Sequence, residues 1–231
     1  MAALKHPLVV EFAGLPAAGK TTMTNLLAAK LRRLGIRTIP LPEAAADCPL
    51  IKLKRDWHFN VWTLCHTVER ILEAFADDSA EVIIADRGLF DAFCWMEWFK
   101  ERRSIDLRTA SVLQDFAMLH EWAARPHITF LLTVGFATAL ERRGHTGRIV
   151  NLETYTELEC AYNNALDRMP EEEKASMEVV ATDQLSRNEV LEQTFRTVRN
   201  KTEGMDRLIY SPGAPRGPGS VSMSGSPSPK R

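Results

Sequence analysis

Eight consecutive residues near the start of the chain have the types and the spacing that phosphate binding requires. Residues 14–21, GLPAAGKT, match the P-loop pattern G-x-x-x-x-G-K-[ST] at every fixed position. Glycine lets the backbone approach a ligand closely, and the loop amides form a concavity that binds anions. We expect Lys20 to reach the β- and γ-phosphates of a nucleotide and the Thr21 hydroxyl to ligate Mg²⁺. The predicted nucleotide-binding residues of this loop are Gly14, Ala17, Ala18, Gly19, Lys20, Thr21 and Thr22.

The segments on both sides of the loop support this interpretation. Residues 8–13 form a short apolar run that predicts a buried strand, and residues 21–34 carry apolar side chains at helical spacing. A helix that starts at the loop aims the positive end of its dipole at the bound phosphates. The alternative is a chance glycine-rich turn before a helix. The complete motif between a strand and a helix favours nucleotide binding.

Two acidic residues and one arginine follow later predicted strands. Residues 81–86, EVIIAD, end in Asp86, and many buried strands end this way. In a chain with a P-loop, an apolar strand that ends in Asp predicts a Walker B strand, whose acid holds Mg²⁺ directly or through water. Arg87 comes next. Glu43 follows the strand predicted at 36–41, at the sheet edge where α/β proteins bind ligands, although a solvated loop carboxylate fits equally well.

Residues 140–148, LERRGHTGR, place arginines on a short helix and a glycine-bracketed loop. Phosphoryl transfer needs cations around the moving group and exclusion of water, and a closing loop that carries arginines supplies both. An exposed basic turn is the plain alternative. Beside a P-loop, we expect a lid at about residues 142–151 that contributes Arg142 and Arg148.

The remaining pattern predicts an α/β domain over residues 1–204. Strands alternate with helices, which predicts a mainly parallel sheet of about five strands with helices on both faces and a small lid. The last two strands are expected at 127–134 and 177–181, and further helices at 57–76, 105–124, 136–143 and 152–169. Ser186 or Asn188 is expected to cap a final helix that ends near Gly204. Residues 205–231 form a Ser/Gly/Pro-rich tail that we expect to be disordered.

The composition excludes several classes of protein. The 231 residues carry 29 Lys and Arg against 30 Asp and Glu, which gives no indication of nucleic-acid or membrane binding. No apolar run approaches the length of a membrane span, and the N-terminus lacks a signal-peptide pattern. The four cysteines are widely spaced, as expected for reduced, buried thiols in a cytoplasmic protein.

Four pieces of the chain resemble the thymidylate kinase and deoxynucleoside kinase group, over residues 8–201. Residues 13–22, AGLPAAGKTT, resemble the group's P-loop, and Asp86-Arg87 resembles its acid-arginine pair after the third strand. Arg142 with Arg148 resembles the lid arginines, which Glu153 follows. Residues 179–183, VVATD, resemble the strand and loop beside the adenine of ATP, which implies a nucleotide contact at Asp183. The resemblance implies a P-loop NTPase fold with ATP and Mg²⁺ as cofactors.

The resemblance also implies roles at the acceptor side. Arg87 would contact the acceptor near its 5′-oxygen or its phosphate, and Glu43 matches the carboxylate that serves as base on a 5′-hydroxyl. Phe59-Asn60 resembles the Phe-Gln pair that meets the base. The chain departs from the group at Gly88, where Ser is usual, and at Asp91, which Ala92 follows instead of Arg. The donor side therefore resembles the group closely, whereas the acceptor side is non-standard.

These observations predict an ATP-dependent phosphotransferase that acts on a small acceptor, namely a nucleoside, a nucleoside monophosphate or a similar molecule. Glu43 would be the base for a hydroxyl acceptor, whereas a phosphate acceptor needs none. The alternative is a nucleotide-dependent switch or regulatory ATPase without a small-molecule acceptor. The absence of an Asn-Lys-x-Asp guanine signature from the sequence argues against this alternative. By analogy with the group, a homodimer is possible through the helices expected at 57–76 and 105–124.

Overall fold

The computed structural model describes residues 7–54, 56–77, 79–119, 124–143 and 151–209. Arg148, most of the expected lid and residues 210–231 of the expected tail lie outside these ranges. None of the helices in the described ranges is both long enough and apolar enough to span a bilayer.

Five parallel strands form the sheet of the described part of the chain, in the order β2-β3-β1-β4-β5. All four strand pairs are parallel. This confirms the predicted fold class. Pro40 lies in the edge strand β2, where its missing N–H costs no ladder hydrogen bond on the open side. The strands are β1 Leu8–Gly14, β2 Thr38–Leu41, β3 Val82–Asp86, β4 Ile128–Thr133 and β5 Met177–Ala181.

Alternating residues of the central strands pack into two apolar layers. Val9 and Ile83 join the cluster that contains Leu64 of helix α2. Val10 and Ile84 join the larger cluster, which includes Leu27 of helix α1. The helices are α1 Lys20–Arg33, α2 Trp57–Phe75, α3 Leu89–Glu101, α4 Leu107–Ala117, α5 Phe136–Arg143, α6 Leu152–Arg168, α7 Glu171–Lys174 and α8 Arg187–Ile209, with 3₁₀ turns at Ala44–Ala46 and Ile51–Leu53.

Side-chain caps fix several helix starts. Asp56 accepts from His58 N at the start of α2, and Asp106 accepts from Thr109 N at the start of α4. Ser186 is the cap of α8, because its hydroxyl accepts from Glu189 N while the Glu189 carboxylate accepts from Ser186 N. This reciprocal pair is a capping box, and it selects Ser186 over Asn188.

Several predicted boundaries are wrong. The helix expected at 105–124 is the shorter α4, since residues 105–106 and 118–119 are not helical, and residues 120–123 of the expected helix lie outside the described ranges. The final helix continues through Gly204 to Ile209, because one glycine costs about 1 kcal/mol and does not stop a long helix. Cys65 and Cys160 are exposed, so only Cys48 and Cys94 are the buried thiols that were expected.

Helices α3 and α7 were not predicted. Helix α3 is buried on nearly every side, and its aromatic residues leave no polar face to show a helical period. Four of these aromatic side chains lie in the core, namely those of Phe90, Phe93, Trp98 and Phe99.

Candidate functional site

The P-loop connects the end of β1 to the start of α1 through three residues with positive φ. These are Gly14 (φ 130°), Ala17 (φ 63°) and Gly19 (φ 96°). At Gly14 a Cβ would lie 2.1 Å from the carbonyl oxygen of Leu132 on β4, so only glycine fits between the two strands. Ala17 takes the left-handed conformation that residues with a Cβ rarely adopt, which indicates a locally strained loop.

Lys20 is folded back onto this loop. Its Nζ donates to the carbonyl oxygens of Gly14 and Leu15, both at 2.8 Å, and the residue is only 6% exposed. Burial, assisted by the nearby charge of Arg87, lowers the pKa of Lys20 from 10.5 to about 7. The ammonium group therefore lies inside the loop that a phosphate would enter, and a negative ligand would favour its charged form.

Thr21 and Asp86 face each other across the junction of α1 and β3. The Thr21 hydroxyl donates to Asp86 Oδ2 at 2.5 Å. Asp86 is 2% exposed, and its other oxygen, Oδ1, is buried without a hydrogen-bond partner in the described structure. Burial raises the pKa of this carboxyl above its usual value. An unpartnered carboxylate oxygen beside a hydroxyl and a phosphate-binding loop fits Mg²⁺, which is typically held by one or two carboxylates and by substrate phosphates.

Arg87 and Glu43, which the sequence singled out separately, lie in contact. Arg87 Nε donates to Glu43 Oε1 at 2.9 Å, and Arg87 Nη1 donates to Asp91 Oδ2 at 2.7 Å. Burial opposes the charge on Arg87, but Asp91 and Glu43 more than offset it and raise its pKa well above the ordinary value. Arg87 also has a φ of 67°, in the left-handed region, directly after β3. Backbone strain of this kind is frequent at functional sites.

Two buried carboxylates of the site were missed as site residues. Asp91 appeared only as a departure from the resemblance, and Glu11 belonged to an apolar run. Glu11 Oε2 accepts from Phe90 N at 3.1 Å, and Oε1 accepts from Asp91 N at 2.8 Å, so Glu11 caps the N-terminus of α3. Burial raises the pKa of Glu11 to about 7. A carboxylate inside the apolar strand before a P-loop was the available signal.

Glu11 also explains the glycine at position 88. A Cβ on Gly88 would lie 2.6 Å from Glu11 Cδ and 2.7 Å from Glu11 Oε2. Any side chain there would therefore strike a carboxyl group that is fully buried. A Ser side chain at this position would meet the Glu11 carboxyl group in this structure.

Arg142 lies near the end of α5, which follows β4, and Asp183 lies in the turn after β5. Arg142 donates to Thr182 twice, from Nη1 to Oγ1 at 2.8 Å and from Nη2 to the carbonyl oxygen at 2.6 Å. Its Nη1 also lies 3.5 Å from the carbonyl oxygen of Ala17 in the P-loop. Asp183 Oδ2 accepts from Gly135 N at 3.0 Å. The structure thus brings Arg142 to the P-loop and ties Asp183 to the neighbouring loop.

The other residues singled out by the sequence are distributed around this site. Asn60 is buried, and its side-chain amide donates to the carbonyl oxygen of Ala92 at 3.2 Å. Ala18 is buried within the P-loop, whereas Thr22 and Glu153 are exposed on α1 and α6.

Comparison with solved structures shows a match to deoxyadenosine kinase from M. mycoides in three forms. The form with bound dCTP has a TM-score of 0.61 and 17% identity, and the match covers 84% of this chain and all of that one. The form with dCMP and a flexible dCDP as products gives 0.59 and 18%, with coverages of 85% and 100%. The form with bound dATP gives 0.60 and 18%, with coverages of 83% and 99%.

No protein-family model matches this chain, and no curated protein matches it in sequence. At such low identity, the structural matches establish the fold. The chain has the P-loop fold of the deoxynucleoside kinases, as the four resembling pieces predicted.

Proposed function

We propose that this chain is an ATP-dependent nucleoside kinase, which transfers the γ-phosphoryl group of ATP to a hydroxyl of a nucleoside or a similar uncharged acceptor. The observation that carries the proposal is the contact of Arg87 with Glu43 beside a complete P-loop and the Thr21–Asp86 pair. A donor site and an acceptor site then lie at the same end of the sheet, as in other open α/β folds. The structural likeness to deoxyadenosine kinases supports this class of reaction.

The donor side would hold the triphosphate through the loop amides and Lys20. Thr21 and Asp86 would hold Mg²⁺, which neutralises charge on the β- and γ-phosphates when it is bound. Lys20 would exchange its two bonds to loop carbonyls for bonds to phosphate oxygens. Arg142, which already lies beside Ala17, would add positive charge at the same place, and Arg148 would do so from the lid.

The acceptor side favours an uncharged molecule over a monophosphate. Arg87 is flanked by the carboxylates of Glu43 and Asp91, so the positive charge of its guanidinium is already balanced. A phosphate placed there would face two carboxylates, and repulsion between like charges would oppose its binding. A hydroxyl group does not meet this penalty.

Glu43 is the group that would accept the hydroxyl proton. Its carboxylate is 39% exposed, next to the guanidinium of Arg87. As the acceptor oxygen bonds to the γ-phosphorus, the bond from that phosphorus to the bridging oxygen of ADP breaks, and the hydroxyl proton passes to Glu43.

A thermal-melting experiment tests the proposal. Mg-ATP should raise the melting temperature, and one or more nucleosides, added as a panel with Mg-ATP, should raise it further. A ligand at about 100 times its dissociation constant adds about 2.7 kcal/mol of stability. Lys20→Ala should remove the response to Mg-ATP. Stabilisation by monophosphates but not by nucleosides would contradict the acceptor class, and stabilisation by Mg-ATP alone would favour the switch or regulatory ATPase.

A further inference from the structure

The carboxylate of Asp91 joins three parts of the molecule. Its Oδ1 accepts from Gly14 N at 3.1 Å and from the Tyr162 hydroxyl at 2.5 Å. Its Oδ2 accepts from Arg87 Nη1 at 2.7 Å. Asp91 is 2% exposed, so these bonds form away from water. One side chain therefore contacts the first residue of the P-loop, the arginine after β3 and helix α6.

Asp91 is not needed as a cap for its own helix. It lies in the first turn of α3, where an acidic side chain commonly accepts from the free backbone N–H groups. Here Glu11 accepts from Phe90 N and from Asp91 N. The carboxylate of Asp91 instead accepts from groups outside α3, so helix capping does not account for it.

The guanidinium of Arg87 is held on two sides. Glu43 accepts from Nε and Asp91 accepts from Nη1. Nη2 donates to no group in the described part of the chain. Arg87 N also donates to the carbonyl oxygen of Phe12 at 3.0 Å, although the residue is in the left-handed region. Two side-chain anchors and one backbone anchor thus fix a strained residue in a single orientation.

We infer that Asp91 is a positioning residue that sets the place of Arg87 relative to the phosphate-binding loop. Because the same carboxylate binds Gly14 N and Arg87, it fixes the distance between the donor cradle and the acceptor arginine. This inference rests on the proposed function, in which Arg87 contacts the acceptor. Alignment of that kind strongly affects rate, since a displacement of about 1 Å can cost about 100-fold.

Asp91→Asn separates the contact of this side chain with the P-loop from its contact with Arg87. With its Oδ1 kept toward Gly14 N and the Tyr162 hydroxyl, the asparagine turns its Nδ2 donor toward Arg87. The P-loop bond is kept, whereas Arg87 loses its acceptor and meets another donor. We expect kcat to fall about 100-fold and KM for the acceptor to rise, while the dissociation constant for Mg-ATP stays near the wild-type value.

Glu97→Gln provides a matched control on the same helix. Glu97 is 3% exposed and accepts from Gln114 Nε2 at 2.9 Å and from Arg168 Nη1 at 2.6 Å. The Glu97→Gln variant shows the effect of neutralising a buried carboxylate of α3 that does not contact Arg87. Its kcat and acceptor KM should stay near wild type.

In addition, Asp91→Asn should have little further effect in an Arg87→Ala background, because Asp91 acts through Arg87.

Nuclear magnetic resonance gives a readout that needs no turnover. In the wild-type chain, the anchored guanidinium of Arg87 should rotate slowly and show separate Nη–H resonances, assigned by comparison with Arg87→Lys. In Asp91→Asn these resonances should merge. Free rotation of Arg87 in the wild-type chain would overturn the inference even if the variant does not fold, and so would unchanged acceptor kinetics in a folded variant.

The two proposals fail in different ways. A wild-type chain that transfers no phosphoryl group to any acceptor refutes the proposed function. The resonances of Arg87 then decide whether Asp91 holds this arginine. Conversely, an active wild-type chain with unaltered kinetics in Asp91→Asn keeps the proposed function and removes the positioning role.

Discussion

The Thr21 hydroxyl lies 2.5 Å from Asp86 Oδ2, so the P-loop helix and the acid at the end of β3 are in direct contact. The second oxygen of Asp86 is buried without a hydrogen-bond partner among the described residues. A carboxylate in this situation is costly unless a cation or a donor completes its environment. The pair therefore has the features of a site that Mg-nucleotide completes.

Asp86→Asn should separate activity from stability. Asparagine keeps the volume and can still accept from Thr21, but it removes the charge that would hold Mg²⁺. We expect the rate of phosphoryl transfer to fall about 100-fold or more. The melting temperature without ligand should stay the same or rise. Burial raises the pKa of Asp86, which means that the charged carboxylate is disfavoured in the folded chain, and the neutral asparagine avoids this cost.

Asp106→Asn is a suitable control for Asp86→Asn, since Asp106 caps α4 and accepts from Thr109 N. It should leave the rate unchanged. Equal Mg²⁺ dependence in wild type and Asp86→Asn would contradict the assigned role of Asp86.

Lys20 should take up a proton when Mg-ATP binds. Its pKa is lowered to about 7 in the free protein, so at pH 8 about nine in ten of these side chains are neutral. The triphosphate favours the charged form and raises the pKa. Calorimetric titrations at pH 8 in buffers of different ionisation enthalpy should show uptake of nearly one proton, and titrations at pH 6 should show little.

Lys20→Arg provides the control for proton uptake, because arginine remains charged in both states. Uptake at pH 8 should disappear in this variant. An observed uptake that is equal in wild type and Lys20→Arg would show that another group takes the proton.

Glu43→Gln should affect the chemical step more than binding. The variant keeps the shape of the side chain but cannot accept the hydroxyl proton, and general-base catalysis contributes about 100- to 10,000-fold. We expect kcat to fall within that range while the dissociation constant for Mg-ATP stays constant. Glu159→Gln, an exposed acid on α6, is the control. Full activity of Glu43→Gln on a monophosphate acceptor would contradict the hydroxyl mechanism.

Glu11 should make folding stability decrease as pH rises toward neutrality. Its pKa is about 7 in the folded chain against 4.5 as the ordinary value, mainly because burial disfavours the charge. Between these values the folded chain holds a proton that the unfolded chain has released, so a rise in pH favours unfolding. The slope from this one group is at most about 1.4 kcal/mol per pH unit.

The pH dependence of Glu11 is measured by denaturant unfolding from pH 4.5 to 8. Glu11→Gln removes the titrating group and leaves one N–H of α3 without an acceptor, so it should be less stable than wild type at pH 4.5. The difference should shrink or reverse by pH 8. A constant difference across this range would show that Glu11 does not titrate in it.

The sheet and the arrangement of residues around the P-loop were predictable from local patterns. The P-loop motif, the apolar strand before it and the strand that ends at Asp86 are each continuous in the sequence. Parallel strands with intervening helices then bring Asp86 beside Thr21, because the carboxyl ends of the strands share one edge. Arg142 was predicted from its place on a short basic helix, and it lies beside Ala17.

The surroundings of Arg87, the proposed acceptor side, were less predictable because they depend on contacts between distant residues. Asp91 binds Gly14 across 77 positions and Tyr162 across 71. Helix α3, which carries Asp91, is buried on nearly all sides and shows no amphipathic period. Glu11 accounts for Gly88 only once their packing is known, since the clash with a Cβ involves residues on two different elements.

The most direct test of nucleoside kinase activity is detection of the phosphorylated product. The purified chain is incubated with Mg-ATP and a mixture of nucleosides and nucleoside monophosphates, and each acceptor is followed by mass spectrometry, with Lys20→Ala in parallel. We predict that at least one nucleoside gains a phosphoryl group while ADP forms in equal amount, and that Lys20→Ala forms no product. Hydrolysis of ATP without any phosphorylated acceptor, or phosphorylation of monophosphates alone, would contradict this prediction.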